Sequence, residues 1–192
     1  TGLDLGDLTT YKTFEELEAA YAKQIDHFSD RMVTCITQVE KMHEMLLPTP
    51  FLSAVIDDCL SKGQDVTQGG ARYNFAGVQA IQIANVADSL AAIKLLVYDE
   101  KKLSAQELLH ALQTNFEDAP LVRTMLLNKV PKYGNDVPWV DELGAKWVNY
   151  FADGLRKYRN ARGGIYQMGL YTVSAHVPMG QNVAASADGR YA

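Results

Sequence analysis

Histidines beside carboxylates are the first candidates for chemistry in this chain, and their spacing argues against a metal site. His43-Glu44 looks like the start of a zinc-protease helix, but the second histidine that such a helix carries four residues later is absent. His27 and His110 fall in amphipathic helical patterns among charged residues, and we expect both to be solvated helix histidines. The histidines therefore predict no metal centre.

Paired acidic residues and the two cysteines lead to similarly plain expectations. Asp57-Asp58 could bind a divalent ion, but adjacent residues point to different sides of a helix, which favours an ordinary helix surface. Cys35 and Cys59 each lie beside apolar residues in a helical pattern, so both are predicted to be small buried hydrophobes of a reducing compartment. No paired-cysteine metal spacing occurs.

A late run, 165–177, carries the most unusual polar side chains. It alternates loosely and is rich in β-branched and aromatic residues, which predicts a strand. Strand side chains alternate faces, so one side would carry Tyr171, Val173 and Ala175, and the other Thr172, Ser174 and His176. The polar row could be solvated or, in a barrel, could line a cavity.

Composition bounds the class of protein. The 192 residues are 47% hydrophobic and 21% charged, which is ordinary for a globular chain, and the net charge of −5 provides no basic surface for nucleic acid or an anionic membrane. No apolar run approaches the roughly 20 residues that a bilayer span requires.

Helical periodicity dominates the chain. Thr13 and Glu16 form a predicted capping box before an apolar stripe that runs to about Leu46. The next segments predict helices at 51–60, closed by Gly63, from 80 to about 97, at 105–116, at 121–129 and from Pro138 to about 151. Ser104 and Glu107 form a second predicted capping box at the start of the 105–116 helix. That makes about six helices.

Two strands complete the pattern, one at Ala71–Phe75 after a Gly-Gly break and one at 165–177. Asn160–Gly164 is predicted to be a turn, and the tail after Gly180 a loop. Two strands make a marginal sheet by themselves. We therefore expect separated strands with exposed edges that need neighbours from further polypeptide, which would make the chain a fragment.

Five segments together resemble one family, the glycyl radical enzymes of the pyruvate formate-lyase type, and more closely their dehydratase, lyase and decarboxylase branch. The resemblance covers about residue 13 to the end and keeps the order and spacing of GGARYNFAGVQ at 69–79, ANVADSL at 84–90, Arg162-Gly163-Gly164, Gly169-Leu170-Tyr171 and Asp188-Gly189-Arg190.

The resemblance implies a fold and a chemistry. The fold is α/β, a ten-stranded barrel with helices around it, of which this mostly helical chain would supply about six helices and two strands. In the family a backbone glycyl radical, installed by an activating enzyme that uses S-adenosylmethionine and an iron–sulfur cluster, generates a cysteine thiyl radical that attacks a small substrate. The intact protein is expected to be a cytoplasmic, anaerobic homodimer that needs neither nucleic acid nor membrane.

The reactive residues of the family have no counterpart in this sequence. The Gly-Cys-x-Glu and Arg-Val-x-Gly-Tyr types of motif are absent, and neither Cys35 nor Cys59 has the required neighbours. The resemblance thus implies a partial barrel domain over 1–192 that lies between the cysteine loop and the glycine domain and assigns no catalytic residue. Tyr171 matches a tyrosine that faces the substrate in diol-dehydratase members, so it is the candidate substrate-binding residue.

The function expected from this resemblance is a segment of a dehydratase, C–N or C–S lyase or decarboxylase that is inactive alone. The alternative is a non-enzymatic helical interaction module or decayed homologue that binds a partner through exposed apolar surface. Departures from the family pattern, such as Val78 and Thr172, leave the substrate unassigned.

Overall fold

The fold comes from a computed structural model that describes residues 2–171 and 174–192. Two strands are present among these residues, β1 (Ala76–Ala80) and β2 (Tyr166–Leu170). The helices are α1 (Phe14–Leu46), α2 (Pro50–Val55), α3 (Cys59–Lys62), α4 (Ile83–Ala92) with its π-helical continuation Ile93–Asp99, α5 (Ala105–Gln113), α6 (Pro120–Asn128), α7 (Pro138–Leu155) and α8 (His176–Gly180), with 3-10 turns at Leu8–Thr10 and Val66–Gln68.

The chain forms two compact units. The first contains residues 1–2, 24–79 and 150–170, and the second contains 3–23, 80–149 and 171–192. None of the helices in the described part of the chain has both the length and the apolar character needed to cross a bilayer.

Helix α1 begins where the capping pattern predicts. The Thr13 hydroxyl accepts the backbone N–H of Glu16 at 3.2 Å, which satisfies one of the free donors of the first turn. The Glu16 carboxylate reaches back one residue further than expected and accepts the N–H of Lys12 at 2.7 Å. The predicted end at Leu46 is confirmed, and α1 is an uninterrupted helix of 33 residues.

The single helix predicted over 51–60 is wrong, because the backbone breaks between α2 and α3. Asp58 adopts a left-handed conformation with φ of 77° just before α3, which no continuous helix can contain. Asp57 and Asp58 consequently lie in the break, not on a helix surface, and both pair with Arg72 at 3.7 and 3.0 Å. Gly63 closes α3 as predicted, with φ of 61°.

Asp65 ties α2 to the loop that follows α3. Its carboxylate accepts hydrogen bonds from the Thr49 backbone and hydroxyl, the Ser53 hydroxyl, and the Thr67 backbone and hydroxyl, at 2.6–3.2 Å. The hydrogen bonds from Thr67 and then Ser53 favour the ionised form and hold the pKa of Asp65 well below its usual value. The carboxylate therefore organises a segment with little regular structure of its own.

The first strand begins five residues later than predicted. Residues Ala71–Phe75 are a loop, since the Asn74 amide donates to the carbonyls of Gly69 and Ala71 at 3.1 and 3.0 Å. These local bonds occupy carbonyls that a ladder would need, and Gly69 supplies the turn with φ of 88°. Regular pairing begins only at Ala76.

The two strands pair with each other, which corrects the expectation that they are separated. The N–H of Ala76, the first residue of β1, donates to the carbonyl of Ile165 just before β2, at 3.0 Å. Both strands therefore start at the same end and run parallel, with Ala76 beside Tyr166.

The second strand is shorter than predicted, and it ends at Leu170. Its partner β1 is only five residues long, so the ladder cannot support the predicted run to 177. Farther on, His176 begins α8, where Pro178 is tolerated because the first-turn N–H groups lack helical partners anyway. Thr172 and Val173 lie outside the described residues.

One face of this strand pair forms the core of the first unit. Ala76, Val78 and Tyr166 are buried there together with Leu155 of α7. The side chains that pack against them from α1 are Met32, Val33 and Ile36. Helices thus cover one face of this parallel pair, whereas parallel sheets are ordinarily covered on both faces.

Two tyrosines, one in α7 and one just after it, form hydrogen bonds to aspartates of α1. Tyr150 donates to Asp26 at 2.8 Å, and Tyr158 donates to Asp30. The bond to Asp30 raises the pKa of Tyr158 to about 12, because the neutral phenol is the form that can donate.

The predicted turn Asn160–Gly164 is confirmed and holds the starts of both strands. Asn160 is 5% exposed, donates to the Asn74 carbonyl at 2.6 Å and accepts the N–H groups of Arg162 and Gly164 at 3.1 and 2.8 Å. Arg162 bridges the half-buried Glu40 of α1 at 2.9 Å and the Phe75 carbonyl at 3.1 Å.

In the second unit the helical predictions are largely confirmed. Ser104 and Glu107 form the predicted capping box, and Pro138 occupies the first turn of α7. The core contains Leu96, Leu108 and Leu126, all fully buried. Aromatic contacts Phe14–Tyr98 and Tyr21–Trp147 join the first half of α1 to it, at 6.1 and 4.6 Å between ring centroids.

Replacing Gly164 with alanine tests the turn. A Cβ at Gly164 would overlap the carbonyl of Asn74, whereas a Cβ at Gly77 of β1 meets no atom within 4 Å. We expect Gly164→Ala to destabilise the chain by about 1–3 kcal/mol and Gly77→Ala to change it by less than about 0.5 kcal/mol. Urea unfolding midpoints of the two variants check this, and equal midpoints would contradict the assigned contact.

Acid unfolding tests the Asp65 carboxylate. Because its pKa is lowered on folding, its stabilising contribution is present above the unfolded-state pKa and is lost as the pH falls below it. We expect Asp65→Asn to lower the unfolding midpoint at pH 7 and to flatten its fall between about pH 5 and about pH 2. Glu44→Gln, at an exposed position of α1, is the control and should leave the acid profile unchanged.

Candidate functional site

The uncovered face of the strand pair is the first candidate surface. Strand alternation puts Gly77, Gln79, Gln167 and Gly169 on the side away from the core, and all but the half-buried Gly169 are exposed. The parallel register sets Gln167 beside Gly77 and Gln79 beside Gly169. Each amide thus stands next to a glycine, which leaves room above the sheet and offers both a donor and an acceptor.

Tyr171, the candidate substrate-binding residue, directly follows the last residue of β2. Its side chain is 65% exposed. Tyr171 lies outside the strand and belongs to the second unit, so strand alternation does not assign its side chain to a face of the strand pair. A phenol can donate to or accept from a ligand oxygen, so the residue type suits orientation of a hydroxylated substrate.

The polar row predicted on the late strand does not form. Ser174 lies in a bend with an exposed side chain, and His176 begins α8, so neither occupies a strand. Thr172 lies outside the described residues. Among the described members of the two predicted sets, Tyr171 directly follows β2, and Ser174, Ala175 and His176 lie beyond it, so none of them is in the predicted strand.

The other chemistry-bearing residues remain scattered. Cys59 is fully buried as predicted, but Cys35 is exposed on α1, so the expectation that both are buried is wrong for Cys35. Among residues 2–171 and 174–192, no group of three or more His, Cys, Asp or Glu side chains is arranged so that it could hold a metal ion.

The two helix histidines differ from each other. His110 is solvated as predicted, with its ring nitrogen 2.7 Å from Asp118. His27 is half-buried, which the solvated expectation missed. Its Nε2 is shielded from solvent and has no hydrogen-bond partner among the residues that the structure describes.

A polar network in the second unit joins two of the distinctive sequence segments. Asn85 of α4 donates to Asp188 at 2.6 Å, and the opposite carboxylate oxygen accepts the Ser186 hydroxyl at 2.5 Å and the Arg190 N–H at 3.2 Å. Gly189 turns the chain with φ of 96°. These bonds explain why 84–90 and 188–190 carry their residue types together: Asp188 is the acceptor that closes the loop.

Two cations anchor the same loop from α6 and the segment after it. Arg123 donates to the Gly189 carbonyl at 2.9 Å and lies 3.9 Å over the Tyr191 ring. Lys132 donates to the carbonyls of Leu126 and Asp188 at 2.8 and 3.3 Å. Both oxygens of the Asp188 carboxylate accept hydrogen bonds from within the second unit, so its visible role is to hold the loop.

An open cavity of about 230 Å³ lies next to this loop, between α4, the first half of α1 and residues 183–190. Its polar lining includes Asn85, Ser186 and Arg190, whose hydrogen bonds go to Asp188 or to backbone carbonyls. Asp88, on the same helix, has its pKa raised by burial and accepts the Tyr133 N–H at 2.7 Å. The cavity therefore presents mainly apolar surface.

Sequence reasoning missed the amides Gln79 and Gln167. Because the first strand was predicted at 71–75, Gln79 lay outside any predicted strand, and the side of the sheet on which it stands could not be assigned. The usable signal was the alternation of Ala76, Val78 and Ala80 with Gly77 and Gln79, which predicts a half-buried strand.

Comparison with known proteins supplies the family. A family model described as pyruvate formate lyase-like matches residues 1–180. The (2S)-3-sulfopropanediol dehydratase of Klebsiella oxytoca is 38% identical over 190 residues, which are 98% of this chain and 23% of the relative. The trans-4-hydroxy-L-proline dehydratase of Clostridioides difficile is 34% identical over 189 residues, which are 98% of this chain and 24% of the relative.

The solved structures agree in fold as well as in sequence. The glycerol-bound form of the B12-independent glycerol dehydratase from Clostridium butyricum superposes with a TM-score of 0.95 at 36% identity, over 100% of this chain and 24% of that chain. This chain thus spans about a quarter of the length of its relatives. Because the family model matches nearly the whole sequence and the relatives share both identity and fold, the chain belongs to the pyruvate formate lyase-like family of glycyl radical enzymes.

Proposed function

We propose that this chain forms part of the barrel wall of a glycyl radical enzyme that eliminates a group from, or cleaves, a small organic substrate. The observation that carries this is the match to the glycerol-bound dehydratase over the entire chain, at a TM-score of 0.95. The similar proteins named above act as dehydratases, and isethionate sulfite-lyases also match at 30–33% identity. The reaction class proposed is accordingly dehydration or a related C–N, C–S or carboxylate elimination.

Within that function the chain is proposed to supply substrate-facing surface. The uncovered face, with Gln79 and Gln167 beside glycines, has space and amide groups for a polar ligand. Tyr171 is proposed to hydrogen-bond a substrate oxygen and so to orient the bond to be broken. The helices on the other face of the strands keep Gln79 and Gln167 in place through the buried core of the first unit.

The radical-bearing residues do not fit this chain. Cys35 lies on the exposed side of a long helix and Cys59 is enclosed in a four-residue helix, so neither stands on a loop open to a substrate. Neither the Gly-Cys-x-Glu nor the Arg-Val-x-Gly-Tyr type of motif occurs in the sequence. No step of radical transfer is assigned to residues of this chain, and the 192-residue chain is proposed to be inactive alone.

Glycyl radical enzymes are activated by radical S-adenosylmethionine enzymes, so such an activating enzyme is the proposed partner of the complete protein. That the complete protein is a cytoplasmic homodimer stays a prediction.

Electron paramagnetic resonance tests the absence of a radical site. The purified chain is incubated anaerobically with a dehydratase-activating enzyme, S-adenosylmethionine and a reductant, and the glycerol dehydratase from Clostridium butyricum serves as the positive control. We expect a glycyl doublet from the control alone. A doublet from the 192-residue chain would refute the assignment of the reactive residues to polypeptide outside it.

A chimaeric enzyme tests Tyr171. Residues 1–192 replace the matched quarter of the same glycerol dehydratase, and Tyr171→Phe removes only the hydroxyl. Loss of one hydrogen bond to substrate predicts a fall in kcat/KM of about 10- to 100-fold. Tyr73→Phe, at another exposed tyrosine, is the matched control and should leave kcat/KM unchanged. Equal activity of the two variants would remove Tyr171 from the substrate site.

A further inference from the structure

Gly77 stands inside β1 at a position where the fold does not require a glycine. Its backbone is that of an ordinary strand residue, and a Cβ added to it meets no atom within 4 Å. Gly164, by contrast, is required, because a Cβ there would overlap the Asn74 carbonyl. A glycine inside a strand is less favourable than an alanine, since it loses more conformational freedom on folding. The packing of this chain therefore does not account for a glycine at position 77.

A glycine inside a strand usually marks a bulge, a sharp bend or a place where a ligand or another backbone approaches closely. A bulge would shift the alternation of the side chains between the two faces. In β1, burial alternates regularly from Ala76 through Gly77 and Val78 to Gln79. The reason that remains for the missing side chain is close approach from the uncovered side.

Two amide side chains border the space above Gly77, which we call the notch. Gln79 follows along β1 at about 6.6 Å, and Gln167 lies beside Gly77 on β2 at about 4.8 Å, as the spacing of residues and strands in a sheet requires. Both side chains are exposed, whereas the amides of Asn74 and Asn160 are bound to backbone carbonyls. Each glutamine offers a donor and an acceptor, so a group in the notch can be hydrogen-bonded from two directions.

The border of the notch carries no charge, because the four described residues of the uncovered face are two glycines and two glutamines. The cations just before β2 are already engaged. Arg162 pairs with Glu40, and Arg159 donates to the carbonyls of Arg156 and Tyr158. An anion held by amides alone would lose hydration without gaining a counter-charge. The notch therefore suits a neutral molecule with hydroxyl groups, which both donate and accept hydrogen bonds.

We propose that Gly77 sets the size limit of a neutral, hydroxylated substrate, whose carbon chain enters the notch while Gln79 and Gln167 hydrogen-bond its hydroxyl groups. The inference rests on the proposed function, because it takes the uncovered face to be substrate-facing surface. Gly77 is thereby a specificity-determining residue, since a methyl group at this position would occupy the space that a terminal carbon of the substrate needs.

Two diols that differ by one carbon test the size limit in the chimaera with the glycerol dehydratase. We expect Gly77→Ala to lower the ratio of kcat/KM for glycerol to kcat/KM for 1,2-ethanediol by about 10- to 100-fold, because a fitted pocket discriminates against one misplaced carbon by roughly that factor. Gly154→Ala is the matched control, since a Cβ at this glycine of α7 also meets no atom within 4 Å. It should leave the ratio unchanged.

A binding experiment on the 192-residue chain itself decides the matter where the unmutated chimaera does not dehydrate both diols. The side-chain amide signals of Gln79 and Gln167 are followed by NMR as glycerol, or glycerate with the same number of carbons, is added. We expect both signals to shift with glycerol and neither to shift with glycerate, which is an anion. Gly77→Val should abolish the shift with glycerol, and Gly154→Ala should retain it.

An unchanged ratio of the two kcat/KM values in Gly77→Ala would overturn the proposal, whether both values fall equally or neither falls. In the binding experiment, the proposal is rejected by the absence of a shift with glycerol, by an equal shift with glycerate, or by a shift that persists in Gly77→Val.

Failure of the proposed function gives a different result. A folded, unmutated chimaera that dehydrates no diol would contradict that function. Shifts of Gln79 and Gln167 with glycerol, lost in Gly77→Val, would still identify the notch as a binding site for a neutral polyol.

Discussion

The pairing of two short parallel strands depends on how their starting points are held. Parallel strands cannot be joined by a tight hairpin, and β1 and β2 are separated by 85 residues of mostly helical chain, 81–165. Asn160 supplies the constraint, since its buried amide bonds the Asn74 carbonyl before β1 and two N–H groups before β2. Gly164 allows the close backbone approach on which this depends. The uncovered face with Gln79 and Gln167 exists only because this register is set.

The distinctive sequence segments turn out to divide between scaffold and surface. Asn74, Asn160 and Arg162 fix turns, and Asn85 and Asp188 close a loop in the second unit. Each of these side chains makes at least one hydrogen bond to another part of the protein. The residues left facing outward from the strands are amides and glycines, with Tyr171 following. A short motif in this family is therefore informative about fold even where it carries no chemistry.

Local signals succeeded where the chain's own chemistry decides the structure. Capping residues Thr13 and Ser104, Pro138 in a first turn and Gly63 after α3 each act within a few residues, and each was found from sequence. The predictions of element boundaries failed where a contact with another segment determines the structure. The end of β2 at Leu170 is set by the length of β1, and the start of β1 by the side chain of Asn74. The break at Asp58, where the backbone is left-handed, gave no recognised signal in the sequence. Cys35 was misplaced because an apolar stripe on α1 does not reveal which side meets the core.

By itself, the sequence determined most of the helical positions, the family and the absence of the two radical motifs, because these depend on residue types at fixed spacing along the chain. Tertiary structure decided which residues share a face. The parallel register, the placement of the amides opposite glycines and the exposure of one side of α1 all depend on contacts between segments far apart in sequence. Periodicity identifies an apolar side, but only packing determines whether that side is covered.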